Sequence, residues 1–144
     1  LEREVGYETS VIRGKGDGTV LKYFYMALGG AAGAIARYWL GSLVTSRMGT
    51  RFPYGTFVIN MTACLILGFV LTFLSRRSGW NMAWTYLIPI GFVGAYSTFS
   101  TYEWEMLSTL RSGAFSLAAL YTFGSLILGL VAVWCGIMLA EVLG

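Results

Sequence analysis

Histidine is absent from this chain of 144 residues, which removes the commonest metal ligand and the commonest general base near neutral pH. Cysteine is scarce: Cys64 and Cys135 are the only two, and both lie inside apolar runs. They form no paired metal-site spacing and no disulfide framework, and thiols placed this way behave as small hydrophobes. Charge is also scarce, at 12% of residues against about 25% in ordinary soluble domains. The formal net charge is +3 with the basic residues scattered, so no nucleic-acid-binding patch is present. No nucleophile stands beside a base, and the chain reads as a protein that is not an enzyme.

Apolar residues are what the chain has in excess: 56% of it is hydrophobic, with a mean hydropathy of +0.66. One small core cannot use that much apolar surface, so most of the exterior is expected to face lipid. A soluble helical bundle with an unusually apolar interior is the alternative. Residues 1–19 are polar, with Gly14, Gly16 and Gly18 close together, and read as a flexible arm ahead of a membrane domain over 20–144. The chain begins at Leu1 rather than methionine, which leaves room for a trimmed N-terminus, and its first residues are too polar for an apolar signal core.

Four apolar runs follow, from about Val20 to Val44, Tyr54 to Leu74, Ala83 to Leu110 and Ala114 to Leu143. Each reaches the roughly 20 residues that cross a hydrocarbon core. Lipid tolerates only helices or closed barrels, because every main-chain polar group must be paired internally. Runs of this length without strict alternation predict helices. Tyr54, Trp80, Trp84 and Tyr86 stand near run ends, where aromatic belts form. Four crossings place both termini on one side. That side carries Arg13, Lys15, Lys22, Arg76 and Arg77, and the other carries Arg47, Arg51 and Arg111. So weak a bias permits both orientations, with a single orientation as the alternative.

Polar groups inside the runs mark candidate sites, because they are costly in lipid. Gly29, Gly33, Arg37 and Gly41 share one face of the first helix at a spacing of four, and small residues there allow close packing. Arg37 is then presented near a packed surface, or it snorkels to an interface. The second run carries Thr56, Asn60, Cys64 and Gly68 on one stripe. Asn60 can bind helices together or offer N–H donors to a passing anion, and alone it favours the first. The third run crowds glycine and hydroxyl residues from Gly91 to Thr101, a composition that predicts a helix break where freed carbonyls are paired or bind an ion. Beyond it Thr98, Thr101 and Glu105 share a face beside Phe99 and Tyr102. Their ring edges carry partial positive charge suited to an anion, although spacing alone favours ordinary packing. Tyr121, Ser125, Gly129, Ala132 and Gly136 form a similar stripe on the fourth helix, by itself a normal packing face.

Taken together these segments resemble the Fluc fluoride channels, the CrcB-like family. The likeness rests on Gly-Gly-Ala-Ala-Gly-Ala-Ile-Ala-Arg-Tyr at 29–38, Gly-Thr-Phe-Val-Ile-Asn at 55–60 and Gly-Ala-Tyr-Ser-Thr-Phe-Ser-Thr-Tyr at 94–102. It covers the chain from about Tyr23 onward, and the third motif is the most specific. The resemblance implies an all-α integral membrane protein of four transmembrane helices, the third broken, that assembles as an antiparallel dual-topology dimer. It implies two pores along the subunit interface, through which fluoride leaves the cell passively across the cell membrane. It implies a structural Na+ at the dimer centre, held by the main-chain carbonyls of Gly94 and Ser97. Carried onto this sequence, the pore residues would be Asn60, Phe99 and Tyr102, the hydroxyls of Thr56, Thr101, Tyr121 and Ser125, the acid Glu105 and the arginine Arg37. Three positions depart from the family pattern: Tyr102 replaces a phenylalanine, Gly129 a serine, and Glu103 a residue that is often serine. Tyr102 leaves room for a heterodimer, though a homodimer is the expectation. Glu105 would obstruct an anion unless hydroxyls such as Thr101 and Thr56 engage it. The competing readings are a proton-coupled small multidrug exporter, which needs a first-helix carboxylate that is missing here, and a non-transporting assembly subunit that binds partner helices through its glycine faces.

Overall fold

The computed structural model describes residues 19–76 and 81–143. The arm expected over 1–19 lies outside these residues apart from Thr19, as do Arg13, Lys15, Arg77 and Trp80. All the regular structure among the described residues is helical: α1 (Thr19–Met48), α2 (Tyr54–Arg76), α3 (Met82–Thr85), a π-helical segment (Tyr86–Val93), α4 (Gly94–Tyr96), α5 (Phe99–Arg111) and α6 (Phe115–Leu143).

Helix ends follow local chemistry. The first helix runs past Val44, where the first apolar run ends, and stops at Gly49, whose φ of +81° is a conformation that glycine adopts cheaply. Gly113, at φ +79°, ends α5 in a Schellman arrangement: Gly113 N–H donates to Leu110 O at 3.0 Å and Ala114 N–H to Thr109 O at 3.2 Å. Pro89 lies inside the π-helical segment. It has no N–H to donate, and its ring crowds the preceding turn. The sequence pattern does not anticipate that segment.

Two contacts hold the bundle, and both depend on missing side chains. α1 lies against the π-helical segment, where a Cβ on Gly29 would strike the Leu87 carbonyl and one on Gly33 the Phe92 carbonyl. α6 lies along α2, where a Cβ on Gly68 would strike the Val133 carbonyl and one on Gly136 the Leu65 carbonyl. Main chains this close gain dispersion contacts without needing water to drive them together, which suits helix association in lipid. Ile59, Ala63, Val93 and Tyr96 form the buried core between these pairs.

Outside that core the surface is apolar. Ile35, Trp39, Trp104, Leu130 and Trp134 are all more than half exposed. Two helices, α2 with 23 residues and α6 with 29, are long and apolar enough to cross a membrane. An all-helical body with apolar spans and an apolar exterior is the architecture of a membrane protein.

Candidate functional site

The site forms where the helical path is interrupted between Tyr96 and Phe99. Ser97 (φ −73°, ψ 160°) and Thr98 (φ −150°, ψ 113°) are extended. Asn60 of α2 meets them. Thr98 N–H donates to Asn60 Oδ1 at 2.9 Å, and Asn60 Nδ2 donates to Thr98 O at 3.1 Å. A carboxamide has one acceptor and two donor hydrogens, so Asn60 pairs with Thr98 as another peptide would and keeps its second N–H free of the described protein. Thr98 also caps α5, its hydroxyl oxygen accepting from Thr101 N–H at 3.3 Å.

These bonds divert two amides. In a continuous helix the N–H groups of Thr98 and Thr101 would donate to the carbonyls of Gly94 and Ser97. Here they are engaged by Asn60 and by the Thr98 hydroxyl. Gly94 is exposed, and nothing lies within 4 Å of where its Cβ would stand. Main-chain oxygens released in this way are the donor set by which unwound helices bind Na+, so the chain fits that ion at these positions.

One turn further on, Glu105 is held at both oxygens. Thr56 donates to Oε1 at 2.7 Å and Tyr121 to Oε2 at 2.9 Å. Of the two hydroxyls the sequence suggests, Thr56 engages Glu105, whereas the Thr101 hydroxyl is paired with that of Thr98, from which it accepts at 2.9 Å. Tyr121 takes the second oxygen. Its side chain is 1% exposed, and its ring sits between those of Tyr102 (centroids 4.9 Å apart) and Phe52 (5.1 Å), both in edge-on geometry.

The candidate residues fall into two cavities. One of about 690 Å³ is lined by Arg37, Thr56, Thr101 and Glu105, with Arg51 and Phe52. The other, of about 490 Å³, is lined by Asn60, Ser97, Phe99, Tyr102 and Ser125, with Glu103. Thr98 lines both, and Tyr121 is buried between the two groups of residues. Arg37 makes no hydrogen bond or ion pair with a described residue, so the first cavity carries two arginines against one carboxylate that is already hydrogen-bonded. Phe99 is 74% exposed and lies 6.0 Å from Tyr102 between centroids.

Two residues escape the sequence pattern. Thr98 stands there as one member of a helix face, whereas in the fold it joins the cavities. Phe52, in the connection between α1 and α2, carries no periodic signal at all.

The family model described as CrcB-like protein, Camphor Resistance (CrcB), matches residues 24–137. The chain is 50% identical over 121 residues to a protein of Acidobacterium capsulatum named Fluoride-specific ion channel FluC, covering 84% of this chain and 97% of that one. Proteins of the same name from Solibacter usitatus and Oceanobacillus iheyensis are 43% and 42% identical, covering 84% and 78% of this chain and 99% and 86% of theirs.

Proposed function

This chain belongs to the CrcB-like family, and from that membership we propose that it is a fluoride-specific ion channel of the cell membrane. The observation that carries the reading is the treatment of Glu105, the acid that lines the first cavity. Both Glu105 oxygens accept from hydroxyls while Arg37 has no partner among the described residues, so the first cavity presents cationic potential to an arriving anion. Fluoride enters beside Arg37, Thr56 and Thr101, passes Thr98 and reaches the cavity of Asn60, Phe99, Tyr102 and Ser125. Amide and hydroxyl donors, with the positive edges of the rings, replace its hydration shell. None carries a full charge that would trap the ion, as conduction requires. The flow is passive and, in the cell, outward.

The assembly is part of the proposal. All four helical runs cross the membrane, the third as a broken helix, and two copies of the chain associate antiparallel with a pore on each side of their interface. The weak charge bias supports dual topology. The 74% exposure of Phe99 supports a second subunit, since one protomer does not enclose a ring meant to face the pore. Na+ bound by Gly94 and Ser97 carbonyls would cross-link the two broken helices at the centre. Sodium in place of a larger monovalent cation is then expected to raise the melting temperature of the detergent-solubilised protein, as a ligand of the folded dimer does.

Fluoride efflux from proteoliposomes, read with a fluoride electrode and with chloride as control, tests the reading. Fast fluoride release without chloride release, abolished in Asn60→Asp and Phe99→Ile, is the expected result. A folded dimer that releases no fluoride overturns it. The exporter reading is not favoured: α1 has no carboxylate, and Glu105 is already occupied by two hydroxyls.

A further inference from the structure

The ring of Phe52 belongs to none of the sequence motifs, yet it touches the centre of the site. Phe52 follows the turn at Gly49 and precedes Pro53, and Tyr54 N–H donates back to Phe52 O at 2.8 Å. This tight turn ties the residue to the start of α2. Its ring is fixed from three directions: Tyr54 at 4.8 Å, Phe57 at 5.7 Å and Tyr121 at 5.1 Å between centroids. The approach to Tyr121 is edge-on, with 74° between the planes, a geometry that adds attraction beyond simple burial.

Tyr121 is almost fully buried, and two rings flank its own. Tyr102 flanks it at 4.9 Å from α5, the helix that also carries Glu105. Phe52 is the ring that reaches it from the α1–α2 connection, and Phe52 also lines the cavity that contains Thr56 and Glu105. Without Phe52 the phenol can tilt toward that cavity. The Tyr121 hydroxyl would then leave Glu105 Oε2, and the carboxylate would face the anion path with one hydrogen bond instead of two.

We infer that Phe52 is a positioning residue for conduction, acting through Tyr121 to keep the Glu105 carboxylate engaged. The inference rests on the fluoride-channel reading. It extends the site into a loop and makes the α1–α2 connection part of the conducting machinery.

A four-protein cycle tests it: wild type, Phe52→Leu, Tyr121→Phe and the double variant, with Phe52→Tyr as the ring-retaining control. Leucine keeps most of the volume and removes the ring edge. Phe52→Leu alone is expected to slow fluoride efflux roughly threefold to tenfold, the range that loss of one aromatic pair supports. Phe52→Tyr should restore most of the rate. Once Tyr121→Phe has removed the hydroxyl, adding Phe52→Leu should slow efflux by less than about twofold, because the two residues act in series. Independent, multiplying effects overturn the inference, as does a Phe52→Leu protein that conducts like wild type. If the wild type itself releases no fluoride, it is the channel reading that fails. Melting temperatures of the same four proteins then judge the link: non-additive shifts sustain it and additive shifts overturn it.

Discussion

The side chain of Asn60 and the main chain of Thr98 exchange hydrogen bonds in both directions, at 2.9 and 3.1 Å. The carboxamide thereby replaces the helical acceptor that the Thr98 N–H gives up and holds the extended residues before α5 against α2. Loss of this pair is loss of a part-buried structural element as well as of a pore-facing amide. Asn60→Asp keeps the acceptor but sets an oxygen against the Thr98 carbonyl. It is expected to abolish fluoride efflux and to cost about 1–3 kcal/mol of stability, measured as thermal unfolding in detergent beside the efflux assay.

The two hydroxyls on Glu105 are expected to be unequal to any single replacement. Hydrogen bonds to a charged acceptor contribute about 1.5–3 kcal/mol, which corresponds to roughly tenfold or more in rate if the bond matters to passage. Thr56→Val and Tyr121→Phe should each slow efflux by about that factor, and Glu105→Gln should change it sharply. Efflux unaltered by Glu105→Gln would remove the carboxylate charge from the mechanism.

Arg37 acts at a distance if it acts by potential. Arg37→Gln should lower fluoride efflux most at low ionic strength, and the deficit should shrink as a salt of a non-permeant anion is added, since screening at ~0.1 M confines such effects to about 10 Å. A deficit independent of salt would point to direct contact with the ion instead.

Two glycines on one helix face should respond unequally to an added methyl. A Cβ on Gly136 would collide with main-chain atoms of Leu65 and Phe69, which cannot move aside. Gly136→Ala is expected to cost about 1–3 kcal/mol by overpacking. A Cβ on Gly129 would sit 3.6 Å from Met61 Cε and 3.7 Å from Cys64 Sγ, ordinary contact with flexible side chains. Gly129→Ala should stay within about 0.5 kcal/mol of wild type. Melting temperatures of the two variants decide the point.

Much of the fold is legible in the sequence. Low charge, long apolar runs and small residues inside them set the helices and the membrane environment, because lipid admits few other main-chain solutions. The stripe of Gly29 and Gly33 identifies a packing face, since glycine spacing on a helix translates directly into how closely another main chain can approach. Asn60 is readable as a residue that must find partners, but not as the partner of Thr98, because a carboxamide's need for hydrogen bonds does not say who meets it.

Length, hydropathy and spacing are local quantities, and they determined what this chain is made of: helices for a bilayer, with a polar cluster near residues 91–105. Which hydroxyls hold Glu105, how the candidate residues divide between two cavities, and that Phe52 stands against Tyr121 were decided only by tertiary structure. The two bonds to Glu105 alone join residues 16 and 49 positions apart through the meeting of separate helices, and no periodicity along a single helix encodes which faces will meet.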